Sequence, residues 1–240
     1  MLLDLLQAGS KNEMISLLIL ILISLPIILL SLSLHEAAHA FAAYRLGDRT
    51  ARNMGRLTAN PAKHLDLLGT ISMLVFGIGW AKPVPINARY FKNPKWGMAI
   101  SAAAGPLSNL MLSLLGAIAF QLSGLLVPIV CGNDYLAVFY AGMPTSHLIM
   151  TVVLNFFYLF SYYNAVLAVF NLLPIPPFDG SRLAFVFLPD RWYWGVMKYE
   201  RIIMIVLLVG LASGYLSLPF QSAASAIVNF FFTITSFIGG

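Results

Sequence analysis

One segment constrains this chain more than any other. From Met14 it reads MISLLILILISLPIILLSLSL, and it continues through HEAAHAFAAYRL without a helix-breaking turn. About 20 predominantly apolar residues suffice to cross a bilayer as a helix, the one open-ended structure that satisfies its own backbone there. As a single helix, Met14–Leu46 extends about 50 Å at the usual rise of about 1.5 Å per residue. That exceeds the apolar thickness of a bilayer, so its two ends are expected at or beyond the interfaces. Pro26 is a place for a bend, and Gly47 is a natural C-terminal stop.

The rest of the chain fits the same solvent. Hydrophobic residues make up 60% of it and charged residues 10%, against about 25% charged in an ordinary soluble domain. The 240 residues read as one integral-membrane domain. Further spans are expected over about Gly97–Leu126, His147–Leu173, Ile202–Leu218 and Ala223–Ile238, making about five in an all-α polytopic fold. The stretch Leu67–Trp80 is apolar but too short to span, and it reads as re-entrant or interfacial. The Pro-rich stretch Ala81–Trp96 is expected to be extended, supplying a strand or hairpin at the membrane surface. Met1–Glu13 carries Asp4, Lys11 and Glu13 rather than a basic cluster, which argues against a secretion signal. Cys131 is the only cysteine, which excludes an internal disulfide and a cysteine-based zinc site.

The net charge of +5 does not point to nucleic acid, because the basic residues sit beside spans. Of 14 Lys and Arg, nine lie between Arg45 and Lys95, four between Arg182 and Arg201, and one is Lys11. Basic residues concentrate on the cytoplasmic side. With five spans both clusters fall on that side, which puts the N-terminus outside and the C-terminus inside.

Inside the first span lies His35-Glu36-Ala37-Ala38-His39, an H-E-x-x-H pattern. Residues four apart share a helix face, so the two imidazoles can hold one metal ion while the glutamate reaches the water that the metal activates. His35 precedes Arg45 by ten residues, about 15 Å of helix below the cytoplasmic interface. Ionisable groups at that depth are costly and mark function. A catalytic zinc needs a third protein ligand. His64, Asp66, Asp179, Asp190 and Glu200 are open to that role. Asp179 is the best placed, since it follows Pro174-Ile175-Pro176-Pro177, and irregular backbone at membrane depth is tolerated only where it is buried or lines a cavity.

HEAAHA, NPAKHLDLLGT (60–70), GWAKPVPIN (79–87), GPLSN (105–109) and NLLPIPPFDG (171–180) together resemble the site-2 protease family of intramembrane zinc metalloproteases. The likeness covers residues 35 to about 185 and matches the minimal forms that carry no inserted PDZ or CBS domain. It implies one zinc per chain, held by His35, His39 and Asp179, with Glu36 as catalytic base. It also implies substrates that are single-pass membrane proteins, an active site toward the cytoplasm, and a prokaryotic cell membrane as setting.

Other residues carry weaker expectations. Asn109, past Pro106 in the second span, can donate to a scissile carbonyl or its oxyanion, or bond helix to helix. Asn171 can orient Asp179, touch substrate or cap the broken helix. His64 is expected to hold a surface or supporting place. KPVPIN (82–87) reads either as a plain interfacial loop or as a strand edge for an unwound substrate. A metal transporter or non-catalytic scaffold is the alternative function. The chain has no inverted repeat of the kind transporters show, and the glutamate of the motif would be superfluous in a scaffold.

Overall fold

The structure, a computed structural model, describes residues 9–76, 79–131, 145–187, 189, 191, 195–196, 198–212 and 217–239. The first helix, α1 (Lys11–Arg45), runs unbroken through Pro26. Ser10 caps its start, its hydroxyl accepting from the Glu13 N–H, while the Glu13 carboxylate accepts from the Gly9 N–H. Such reciprocal pairing satisfies donors that a helix start leaves open. Beyond the end, Gly47 takes the left-handed conformation with φ 111°, which a side chain would resist.

A polar stretch follows, with a short helix α2 (Thr50–Asn53) and a 3-10 turn at Pro61–Lys63. Next comes α3 (Leu67–Phe76), whose ten residues extend only about 15 Å and cannot cross a bilayer. The strand or hairpin expected after it is reduced to one antiparallel bridge, Leu65 with Ala81, beside a 2.8 Å bond from the Lys82 N–H to the His64 carbonyl. The reason lies in the sequence. Pro83 and Pro85 have no N–H to give a ladder.

Side chains take over the role of a partner strand along residues 82–87. The Arg56 guanidinium donates to the carbonyls of Lys82 and Pro83. Asp48, fully buried, accepts from the Asn87 N–H at 2.7 Å and from the Thr50 N–H at 2.9 Å. Burial alone would push its carboxyl up, but these bonds and one from the Thr50 hydroxyl outweigh it and hold the carboxyl below the usual range.

The remaining helices are α4 (Pro94–Gly124), α5 (Val127–Cys131), α6 (Thr145–Asn171), α7 (Asp179–Phe185), α8 (Glu200–Ala212) and α9 (Ser217–Thr235). Among the described residues, four helical segments are long and apolar enough to span: Glu13–Arg45, Pro94–Val130, Ile149–Asn171 and Leu218–Ile238. The fold is all-α, as expected. The span expected over Ile202–Leu218 is described only in part: α8 has 13 residues, and residues 213–216 lie outside the described ones.

At the centre stands α4, packed against α1, α6, α7 and α9. Its buried face repeats every four residues through Gly97, Ser101, Gly105, Asn109 and Ser113. Leu107, Met111, Leu115 and Leu122 stay exposed on the outer side. Lipid solvates large apolar side chains as well as a protein core does, so what holds such helices together is close approach of small residues and interhelical hydrogen bonds. The Ser161 hydroxyl on α6 accordingly donates to the Ser113 carbonyl at 2.8 Å, and Ser24 on α1 meets the Tyr163 hydroxyl at 3.0 Å.

Candidate active site

The helical spacing of the H-E-x-x-H pattern puts His35 and His39 on the face of α1 that packs against α4. Both are buried, at 4% and 6% exposure. Their rings meet edge to face, centroids 4.5 Å apart, with the two Nε2 atoms 2.9 Å apart. The Asp179 carboxylate closes the group: one oxygen lies 3.1 Å from each Nε2. Asp179 opens α7, directly after the proline-rich break that ends α6. Gly180 makes that placement possible. A Cβ there would fall 2.2 Å from the Leu172 carbonyl oxygen, so the start of α7 lies against the end of α6 as no other residue would allow.

The outer nitrogens of the two rings are tied to the protein. His39 Nδ1 donates to the Ser101 carbonyl on α4 at 2.7 Å, and His35 Nδ1 bonds the Asn109 side-chain oxygen. A carbonyl only accepts, so both rings carry a hydrogen on Nδ1, and the neutral form of each turns its lone pair inward at Nε2. With both rings neutral, two lone pairs and a carboxylate oxygen converge there. A cation resolves that repulsion, and two imidazoles with one carboxylate are a known ligand set for catalytic zinc. The residues present fit that metal. Among the described residues, His35, His39 and Asp179 are the one group of three such side chains with ligand atoms within 4.8 Å of one another.

The α4 backbone closes the third side of the site. A Cβ on Gly105 would lie 2.4 Å from both Cε1 and Nε2 of His39 and 2.6 Å from Cε1 of His35. Glu36, one position around the helix, is not part of the converging group. Its carboxylate accepts from the Val84 N–H at 2.8 Å, which joins α1 to the extended 82–87 stretch.

The other candidates stand elsewhere. His64 is buried with its Nε2 donating to the Thr58 carbonyl at 2.8 Å, apart from the three converging groups. Asp66 accepts from the Gly69 N–H at the start of α3. The Asn171 amide donates to Leu167, one turn back in its own helix. Asp190 and the side chain of Glu200 lie outside the described residues. Of the two roles open to Asn109, the structure shows the bond between helices: its Nδ2 is directed 2.8 Å to Asn164 and its oxygen to His35. Gly105, Ser101 and Val84 were missed as site residues. Gly105 alone left a signal, as a glycine before proline inside a span.

Long apolar helices around a buried, metal-ready trio define an integral-membrane protein with a metallopeptidase centre. The chain belongs to peptidase family M50, which matches residues 23–217, in keeping with the site-2 protease resemblance. Among its relatives is "Putative zinc metalloprotease YwhC" of Bacillus subtilis, 39% identical over 199 residues that cover 82% of this chain and 84% of that one. Another is "Putative zinc metalloprotease Rip2" of Mycolicibacterium smegmatis, 33% identical over 161 residues, 63% of this chain and 52% of that one. No solved structure matches. The chain is therefore a zinc-dependent intramembrane metalloprotease.

Proposed function

We propose that this protease is an endopeptidase of the H-E-x-x-H type that cuts single-pass membrane proteins within or near their transmembrane segments, with His35, His39 and Asp179 holding one zinc per chain. The observation that carries this reading is the convergence of the Nε2 atoms of His35 and His39 with a carboxylate oxygen of Asp179 inside the helix bundle, next to a glutamate. Zinc, when bound, acidifies a water molecule and polarises the scissile carbonyl. Glu36 takes the proton from the attacking water and returns it to the leaving amine. Ser101 and Asn109 keep the two imidazoles turned so that Nε2 faces inward, which makes Asn109 a positioning residue. Gly105 leaves room for the rings, and Gly180 brings the third ligand in.

Purified wild-type protein should carry zinc near one per chain and cleave a labelled transmembrane peptide. Asp179→Ala should lose most of the metal, while His64→Ala should keep it. Metal lost from His64→Ala and retained in Asp179→Ala would reassign the third ligand. A wild type that cleaves no member of a broad panel of transmembrane peptides would refute the proteolytic reading.

The site faces the cytoplasm in this proposal. The basic cluster after α1 and the one after α6 are separated by two spans, α4 and α6, and so share a side, the one that basic residues favour. In a Cys131→Ser background, cysteines at Arg52 and Arg191 should be shielded from an impermeant thiol reagent in intact cells, and one at Asp134 should react. The reverse pattern would invert the orientation.

A further inference from the structure

Behind His35 lies a chain of buried polar groups that the reaction itself does not touch. Asn109 on α4, Asn164 on α6 and Ser31 on α1 are each fully buried. Asn164 Nδ2 donates to the Phe160 carbonyl at 2.8 Å, one turn back in its own helix, and to the Ser31 hydroxyl at 2.9 Å. A backbone carbonyl can only accept. The amide nitrogen of Asn164 must therefore be the end at Phe160, which leaves its oxygen facing Asn109. Two amide oxygens cannot share a hydrogen, so Asn109 must turn its nitrogen to Asn164, at 2.8 Å, and its oxygen to His35. That oxygen accepts, so His35 carries its hydrogen on Nδ1, and Nε2 is free for a metal.

We infer that Asn164 is a positioning residue for the metal: through the amide of Asn109 it sets the tautomer of His35. The inference rests on the zinc reading above and extends it to a residue two hydrogen bonds away. If Asn164 were apolar, nothing would oppose a half-turn of the Asn109 amide. Its NH2 would then face His35 Nδ1, the ring hydrogen would move to Nε2, and the ligand atom would be capped by a proton. Groups that orient a metal-binding histidine typically contribute about 10–100-fold in metal affinity. The relay also touches α1, α4 and α6, so the correct tautomer is available only when all three helices are in register.

The test is zinc affinity of the purified full chain in detergent, by competition with a chelator, with helix content checked in each variant. Asn164→Leu should weaken zinc binding by about 10–100-fold. Adding Asn109→Asp to Asn164→Leu should restore most of it, because a carboxylate offers an acceptor to His35 in either orientation. A residue that merely fills space would not be rescued in this way. Near-wild-type affinity in Asn164→Leu, or a double variant as weak as the single, overturns the inference. Should Asn164→Leu not fold, the pair Asn109→Asp and Asn109→Leu reads the same relay: the first should bind within a few-fold of wild type and the second about 10–100-fold weaker, and equal affinities overturn it. A wild type that binds no zinc would instead sink the metal site itself.

Discussion

Glu36→Gln should keep its zinc and lose its proteolysis. The glutamine has the size of the glutamate, and its side-chain oxygen can still accept from the Val84 N–H that Glu36 engages at 2.8 Å, so the link between α1 and the 82–87 stretch survives. The three converging ligand atoms belong to His35, His39 and Asp179, so metal content should stay near the wild-type level. What the amide cannot do is accept a proton from water. Loss of a general base typically costs about 10²–10⁴-fold in rate. Elemental analysis and cleavage of a transmembrane peptide in the same preparation separate the two quantities. Cleavage at the wild-type rate by zinc-loaded Glu36→Gln would remove Glu36 from the mechanism, and parallel loss of zinc and activity would make it a ligand instead.

Gly105→Ala should have an effect opposite to the one that helix propensity alone suggests. In a helix interior alanine is favoured over glycine by about 1 kcal/mol. Here the added methyl would stand 2.4 Å from two ring atoms of His39 and 2.6 Å from one of His35. Neither ring is free to yield, because each is tied at Nδ1, one to Ser101 and one to Asn109. Either the rings leave their positions or α4 backs away from α1. A displacement of about 1 Å at a reacting centre can cost about 10²-fold in rate, and a loss of that order is expected for cleavage. Zinc affinity should fall with it while helix content stays unchanged. Wild-type zinc affinity in Gly105→Ala would mean that the rings can move aside without penalty.

These two positions differ in how far the sequence reveals them. The H-E-x-x-H pattern is local: once Met14–Leu46 reads as a helix, four-residue spacing settles that His35 and His39 share a face, and the structure has them there. The apolar runs likewise mark α1, α4, α6 and α9, because spanning a bilayer is a matter of length and composition. Asp179 was legible through its place after Pro176 and Pro177, which bar a regular helix. The contacts that lie across helices were not legible. Nothing in GPLSN says which face of α4 meets the imidazoles, so Gly105 drew no expectation and Asn109 carried two, a donor to substrate or a bond from helix to helix. Asn164 was not marked as a site residue, since a partner on another helix leaves no periodic trace. The span expected over Ile202–Leu218 is described only in part: α8 covers Glu200–Ala212, and residues 213–216 lie outside the described ones.

The bond between Glu36 and Val84 ties the proposed base to the extended 82–87 stretch. Val84 sits between Pro83 and Pro85, so its N–H is the sole backbone hydrogen that this tripeptide has to offer, and the base holds it. While Glu36 is ionised, that bond is charge-assisted and roughly twice as strong as a neutral one. Were Glu36 to take up a proton, as the proposed mechanism requires, the bond to Val84 would lose that charge assistance. In the proposed mechanism, then, the group that moves the proton is also the one that fastens the 82–87 stretch to α1.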